Sequence, residues 1–567
     1  MTKILLILLT LGLTSLGGFI WYIQREPDIS SYDLRNADNW DLPSRKQEIS
    51  NSGFYADKND KFSPKAEDVQ LKWKDISPKE SVYDWSELKN RLDLAKKSNR
   101  GVWLRIYFTD EIMVPDWFKA KHPNIARIET GQYEENLTGN SPGRFYPLWH
   151  KDMESEIGKM MQDLAKQNIV EDPDFHFMYV PFGWRWNEWV CTAPGQMEKD
   201  GFTPESFLIW WESHLNIYTK AFENNVNKLV YTGSAAMDFC DGNLKWMSGL
   251  NDIKKGRNKM TDIALNMGLS VRLGDLEYFN NYSFFPSWGR FAKKIGNYYY
   301  PEIDPENPLI KDPSRIVGTE NEGIGDDGML LGTKNYYFVR QNTLKSLSLG
   351  VNWINLQQKT YDLAPDVFEY ARKTMGQTIA QRDDVWVALR QWQDFSLVKF
   401  KGLGEENLHY DDKIPFRNWE LGLRQRDLEN GGKTRAVAQI GDDSSFPFFF
   451  QNGSSFEALK TDVSNNQNYF YFQVDSKFIQ DDKNYKLAVT YLDDSNSLWS
   501  VDFYDKNGEI QQSQTVQNTN DKIWKTVFLD LPNIGFKQKF TDKMDFRLYN
   551  GGKEDLTVTF VRLVKQP

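Results

Sequence analysis

Ser314-Arg315-Ile316-Val317-Gly318-Thr319 and Val351-Asn352-Trp353-Ile354-Asn355-Leu356 are two short, β-branched apolar runs. Between them Asn335 to Leu349 has helical periodicity, and Gly350 stands where a helix closes through a left-handed residue. A further amphipathic segment, about Pro365 to Thr374, follows the second run. Strand, helix, strand, helix is the pattern of βα units and a parallel sheet. The same alternation continues upstream. Strands are predicted near Gly53-Phe54-Tyr55 and over Val69–Trp73, Gly101–Phe108, Phe175–Phe182, Lys228–Thr232 and Leu269–Leu273. Between them lie a helix from about Asp84 with Leu88, Leu92 and Ala95 on one face, one over Met153–Gln167 with Ile157, Met160, Met161 and Leu164, and one over about Glu205–Phe222. Eight strands in this arrangement predict a (β/α)₈ barrel, set at residues 26–383.

From Asp384 onward the period changes to two. Lys486–Leu492, Trp499–Tyr504, Trp524–Leu529, Asp545–Tyr549 and Leu556–Val564 read as strands between Asn/Asp/Gly turns. Residues 384–567 are therefore expected to form an antiparallel β-sandwich, with a jelly roll as the specific form. Leu556, Val558 and Phe560 alternate with Thr557 and Thr559, as in a half-buried strand. At the other end, residues 1–25 hold an uncharged run from Ile4 to Ile23. At about 1.5 Å per residue it just crosses a hydrocarbon core of about 30 Å. Ser15-Leu16-Gly17 offers a signal-cleavage site, but the continuation through Phe19, Ile20, Trp21, Tyr22 and Ile23 favours an uncleaved anchor over residues 4–23. Either way the chain after Gln24 is expected outside the cytoplasm, periplasmic, secreted or anchored facing outward.

Composition narrows the function. Among 567 residues, 69 Lys and Arg face 79 Asp and Glu, a net charge of −10, which argues against a nucleic-acid partner. Two cysteines, Cys191 and Cys240, supply neither a disulfide scaffold nor a four-cysteine zinc site. His122, His150, His176, His214 and His409 show no ligand spacing, so no metal or cofactor is expected. Asp481-Asp482, Asp493-Asp494 and Asp542 read as solvated turns, with a calcium site in the sandwich as the alternative. Aromatic residues reach 14%, with 20 Trp, 26 Tyr and 36 Phe. Two large cores absorb most of them, and the remainder suits a ligand with flat apolar faces and many hydroxyls, a saccharide.

Barrel enzymes take their reactive groups from the carboxyl ends of strands. The fourth strand ends in Pro181-Phe182-Gly183-Trp184-Arg185-Trp186-Asn187-Glu188-Trp189. Tryptophan walls disfavour ionisation, which suits Glu188 to holding a proton near neutrality. Trp184, Trp186 and Trp189 serve equally as core or as sugar platforms. The seventh strand ends in Thr319-Glu320-Asn321-Glu322-Gly323. Glu320 and Glu322 point the same way on an extended segment, and Glu320 is favoured. Strands four and seven lie across the barrel mouth, so one protonated and one ionised carboxyl can flank a glycosidic bond. Trp103, Arg105 and Tyr107 alternate on the third strand and read as barrel filling.

These pieces resemble clan A of the retaining glycoside hydrolases, which includes the β-galactosidases of families 35 and 42. The residues carrying the resemblance are Asn187-Glu188, Thr319-Glu320-Asn321, Trp353, the stretch Trp73, Ile76-Ser77-Pro78 and Tyr83-Asp84-Trp85, and Pro115-Asp116-Trp117. The resemblance covers about residues 50 to 380. It implies Glu188 as general acid/base, Asn187 as ligand of the sugar 2-hydroxyl, Glu320 as nucleophile and Trp353 as platform beneath the sugar. The tyrosine that orients the nucleophile is then Tyr278 or Tyr282. The family arginine on the second strand is missing, since Gln70, Lys72 and Lys74 stand there, and Arg105 or Arg185 is the substitute. Cys191, three residues after Glu188, and Cys240, after the fifth strand, occupy neighbouring loops and are expected to form a disulfide. The expected activity is that of a retaining β-glycosidase, β-galactosidase-like, acting on an oligo- or polysaccharide. The alternatives are an endo-acting hydrolase of the same clan, for example on an algal galactan, and a non-catalytic carbohydrate-binding protein.

Overall fold

The computed structural model describes residues 34–41, 52–56, 62–129, 144–180, 194–232, 246, 249–252, 257–275, 286–321, 336–392, 414–439, 456–480 and 482–566. Eight parallel strands close a barrel: β1 (Gly53–Ala56), β2 (Ala66–Lys72), β3 (Gly101–Tyr107), β4 (Phe175–Tyr179), β5 (Leu229–Tyr231), β6 (Ser270–Asp275), β7 (Val317–Asn321) and β8 (Trp353–Leu356). Each falls on one of the eight expected segments. Trp73 opens a short helix, Trp73–Ile76, instead of ending β2, and Lys228 closes a 3-10 turn before β5 instead of starting it.

The helices follow the apolar stripes that predict them. Ser86–Lys97 buries Leu88, Leu92 and Ala95, and Lys151–Ala165 buries Ile157, Met160, Met161 and Leu164. The helix Pro204–Phe222 starts in a reciprocal Thr203/Ser206 capping box with Pro204 in its first turn. Inside the barrel Tyr55, Trp103, Phe177, Tyr179 and Trp353 pack as a separate cluster. These rings from β1, β3, β4 and β8 fill the interior and leave no pore.

The C-terminal region forms two antiparallel sheets around a core that includes Leu389, Phe470, Phe472, Trp499, Val501, Phe546 and Leu548. The first strand of this region, Asp384–Trp392, pairs with Thr557–Lys565, and Tyr485–Leu492 pairs with the other edge of that strand. The strand Thr557–Lys565 is buried throughout, not half-buried as its alternation suggests. Both of its faces are covered, and a register shift between Val558 and Phe560 divides its apolar residues between them. Leu556, Val558, Val561 and Leu563 point into the sandwich core, whereas Phe560 joins the barrel-side cluster with Trp40, Trp386 and Trp419.

The large sheet lies on the barrel helix Tyr336–Ser348, so that helix is covered, and two of its polar residues, Tyr337 and Arg340, are paired across the junction. The Tyr337 hydroxyl donates to Glu457 at 2.8 Å, and Arg390 bonds the same carboxylate at 3.1 Å. Two further elements bind barrel to sandwich. The hairpin Arg290–Ile295/Tyr298–Ile303, inserted between β6 and β7, extends the large sheet through Tyr299 and Phe416. The segment around Leu34–Asp41 lies between both: Asp38 accepts from Arg340 at 2.6 Å, and Thr526 donates to the Ala37 carbonyl at 2.6 Å.

Candidate active site

The mouth is set by register. Glu320 on β7 stands opposite Asp275 of β6 on one side and Asn355 of β8 on the other, at the carboxyl end of the sheet. Two positions earlier, Gly318 stands opposite Trp353. Below the Glu320 level, Tyr55 crosses the interior. Its hydroxyl lies 3.0 Å from that of Tyr179 on β4 and donates to the Thr319 carbonyl at 3.1 Å. One phenol thus joins β1 to the two strands expected to deliver the reacting carboxylates. β4 and β7 are separated by β5 and β6 on one side of the ring and by four strands on the other.

Around the interior from Tyr55, Asp68 of β2 and Arg105 of β3 form a charge-assisted hydrogen bond with 0% and 4% of their side chains exposed. Gln70 donates to the same carboxylate, and the Arg105 guanidinium lies 4.5 Å from the Trp103 ring centroid. Arg105 is therefore a fixed cation in the upper barrel rather than a solvent-facing side chain. Arg272 of β6 is likewise buried, opposite Gly318. At the floor His176 lies 5.0 Å from the Trp353 ring, and burial together with the positive charges of Lys65 and Lys228 pushes its pKa down to about 3. A neutral imidazole closes the barrel at that end.

The segments carrying the family resemblance converge beside the mouth. The Trp73 and Phe118 ring centroids lie 4.8 Å apart, and Trp117 donates from its indole to the Ser77 carbonyl at 2.8 Å. Lys74 bonds the Met113 carbonyl at 2.9 Å. The loops after β2 and β3 are thereby pinned together as one rim.

Several expected site residues lie outside the described residues: Glu188, Asn187, Trp184, Trp186, Tyr278, Tyr282, Glu322, Cys191 and Cys240, as does the apolar run 4–23. For Glu320 the backbone position on β7 is described. Trp353 departs from the role of sugar platform. It begins β8, two residues before the Glu320 level, is 0% exposed, and is covered by Tyr55, Phe177 and His176, which makes it barrel filling. The chemical reason is its position in the strand: only residues at the carboxyl end reach the mouth. Sequence reasoning missed Tyr55, Tyr179 and Asp68. Nothing in the sequence singled out Asp68, which shares β2 with Glu67, Gln70 and Lys72.

The family model Glyco_hydro_42, described as Beta-galactosidase, matches residues 69–168, which include the pinned rim. No curated protein matches the chain. Among solved structures, the chain is similar to the catalytic domain of β-amylase from Paenibacillus polymyxa, at 11% identity over 55% of this chain and 90% of that one, with a TM-score of 0.32. It is similar to xylanase 10B from Thermotoga maritima at 10% identity, over 57% and 97% of the two chains, with a TM-score of 0.29. For the β-galactosidase from the psychrophilic Marinomonas ef1 the values are 10% identity, 55% and 54% coverage and a TM-score of 0.24. This chain spans about half the length of that β-galactosidase.

Proposed function

We propose that this glycoside hydrolase cleaves a β-glycosidic bond of an extracytoplasmic oligo- or polysaccharide with retention of configuration, in the manner of a β-galactosidase. The observation that carries the reading is the register of the closed barrel, which sets Glu320 at the mouth on β7 while β4 ends across it, immediately before the segment holding Asn187-Glu188. In the first step Glu320 attacks the anomeric carbon as Glu188 protonates the departing oxygen. In the second, water deprotonated by Glu188 releases the sugar from Glu320. The ionised nucleophile raises the pKa of the acid, and glycosylation removes that charge so that the same group then serves as base. Asn187 binds the 2-hydroxyl, and Arg105 supplies the buried positive charge that the family places on its second strand. The Cys191–Cys240 bridge fastens the loop that carries the acid.

The test is Glu188→Ala on aryl glycosides. Activated leaving groups still glycosylate the enzyme, and azide restores turnover as the glycosyl azide of retained configuration. No hydrolysis of any β-glycoside or polysaccharide by the wild type would overturn the reading. Two reactive thiols in the denatured, unreduced protein would reject the bridge.

A further inference from the structure

A cavity of about 570 Å³ lies away from the barrel mouth, within the range of about 300–1,000 Å³ typical of small-molecule sites. It is bounded by the hairpin turn at Ile295–Tyr298, the turn from Arg426 to Thr434, and the loop at Asp542 and Met544. None of its lining residues belongs to a barrel strand. Its apolar lining includes Tyr298, which is partly exposed, and the buried Tyr300. Tyr298 rests on the Arg417 guanidinium, whose central carbon is 3.6 Å from the ring centroid, while Tyr300 is backed by Arg426 at 4.1 Å. Arg417 is fully buried and does not line the cavity, so it supports Tyr298 from behind and leaves the other ring face toward the space.

The guanidiniums are fixed in turn. Arg417 pairs with Asp427 at 2.9 Å and with Thr434 at 3.0 Å, and Arg426 pairs with Glu420 at 2.6 Å. Lys433 at the rim pairs with Glu429 at 2.7 Å. A rigid ring supported by a buried cation, with Leu428 and Met544 beside it and paired polar groups at the edge, offers CH-stacking and hydrogen bonds together. The charge balance selects among ligands. Two cations, Arg426 and Lys433, line the cavity against three carboxylates, Asp427, Glu429 and Asp542, so nothing here favours a phosphate, a sulfate or a uronate.

We propose that this cavity is a second saccharide site, which holds a neutral segment of the polysaccharide that the barrel cleaves. The proposal rests on the glycosidase reading for the identity of the chain it holds. The hairpin that supplies Tyr298 and Tyr300 comes from the barrel region, and the rest of the wall comes from the sandwich. The site therefore exists only when the two parts are assembled, which fixes the held segment in orientation to the barrel.

The experiment is affinity electrophoresis of the full chain through gels containing neutral or sulfated polysaccharides, beside hydrolysis of a small aryl glycoside. Retardation is expected in at least one neutral gel. Tyr298→Ala weakens it about tenfold, the effect of losing one stacking contact of about 1.4 kcal/mol. Tyr298→Phe keeps most of it. Aryl-glycoside kcat/KM stays at the wild-type value in both variants, which also reports that they fold. Lys433→Trp, an exposed rim substitution, blocks the cavity and removes retardation should Tyr298→Ala fail to fold. Unchanged retardation in Tyr298→Ala or Lys433→Trp, or retardation in sulfated gels alone, overturns the site. Failure of the aryl glycoside with intact retardation would instead count against the glycosidase reading.

Discussion

The hydroxyls of Tyr55 and Tyr179 meet at 3.0 Å inside the barrel, and Tyr55 also bonds the carbonyl immediately before Glu320. This places a single side chain of β1 between β4 and β7, the strands proposed to deliver the two carboxylates. Tyr55→Phe removes one buried hydroxyl, at a cost of about 1 kcal/mol in stability. The expected kinetic effect is a fall in kcat of about tenfold with KM little changed, because β7 loses the contact that fixes the Glu320 backbone. A loss of stability with unaltered kcat would show that Tyr55 is filling only.

The Asp68–Arg105 pair separates packing from electrostatics. Arg105→Met leaves the buried Asp68 charge without its guanidinium, with the Gln70 amide still bonded to it, and is expected to destabilise the barrel by about 3–5 kcal/mol. Asp68→Leu with Arg105→Met replaces both charges by apolar groups and recovers most of that stability. Turnover is expected to stay low in the double variant, since the buried positive charge is absent. Chemical denaturation and aryl-glycoside kinetics on the three proteins decide the matter.

His176 makes the barrel acid-sensitive. Its pKa lies at about 3 in the folded chain and about 6.5 in an unfolded one. As pH falls below about 6.5 the unfolded chain takes up a proton that the folded barrel refuses, so stability drops progressively toward about pH 3. Some solvent contact remains at this residue. The loss attributable to it by pH 4 is therefore about 2–3 kcal/mol. His176→Gln is expected to flatten the profile between pH 7 and 4, read as the midpoint of urea unfolding. An unchanged slope would assign the acid sensitivity elsewhere.

Glu457 couples the two parts of the protein. It is fully buried and bonded by Arg390 and Tyr337, one from the sandwich and one from the barrel helix. Glu457→Gln removes the buried negative charge that faces Arg390 and is expected to cost about 3–5 kcal/mol. Calorimetry should show the wild type unfolding in one transition and the variant in two.

The barrel was legible because each strand is a short apolar run and each helix has its own stripe; Leu88, Leu92 and Ala95 announce both a helix and its buried face. The mouth position of Glu320 follows from the same pattern. Elsewhere local patterning carried no information. Asp38 meets Arg340 across the whole barrel sequence, and Tyr299 joins Phe416 although it lies between β6 and β7. Pairings at such separations leave no periodic trace. Thr557 and Thr559 mislead for a related reason: alternation reports two faces, but both are covered here, one by the second sheet and one by the barrel. Trp353 lies on the expected strand yet at the wrong end of it, a shift of two residues that moves a ring from the mouth into the interior.

The central claim is that Glu320 forms a covalent bond to the sugar. Incubating the intact enzyme with an activated 2-deoxy-2-fluoro-β-glycoside slows the second step and lets the intermediate accumulate. Peptide mapping is expected to find one fluorosugar on the Ile316–Gly323 segment, attached to Glu320. Attachment to Glu322 would move the nucleophile by two residues and preserve the mechanism. Absence of any adduct, together with inverted anomeric configuration in the product of the normal substrate, would contradict the account.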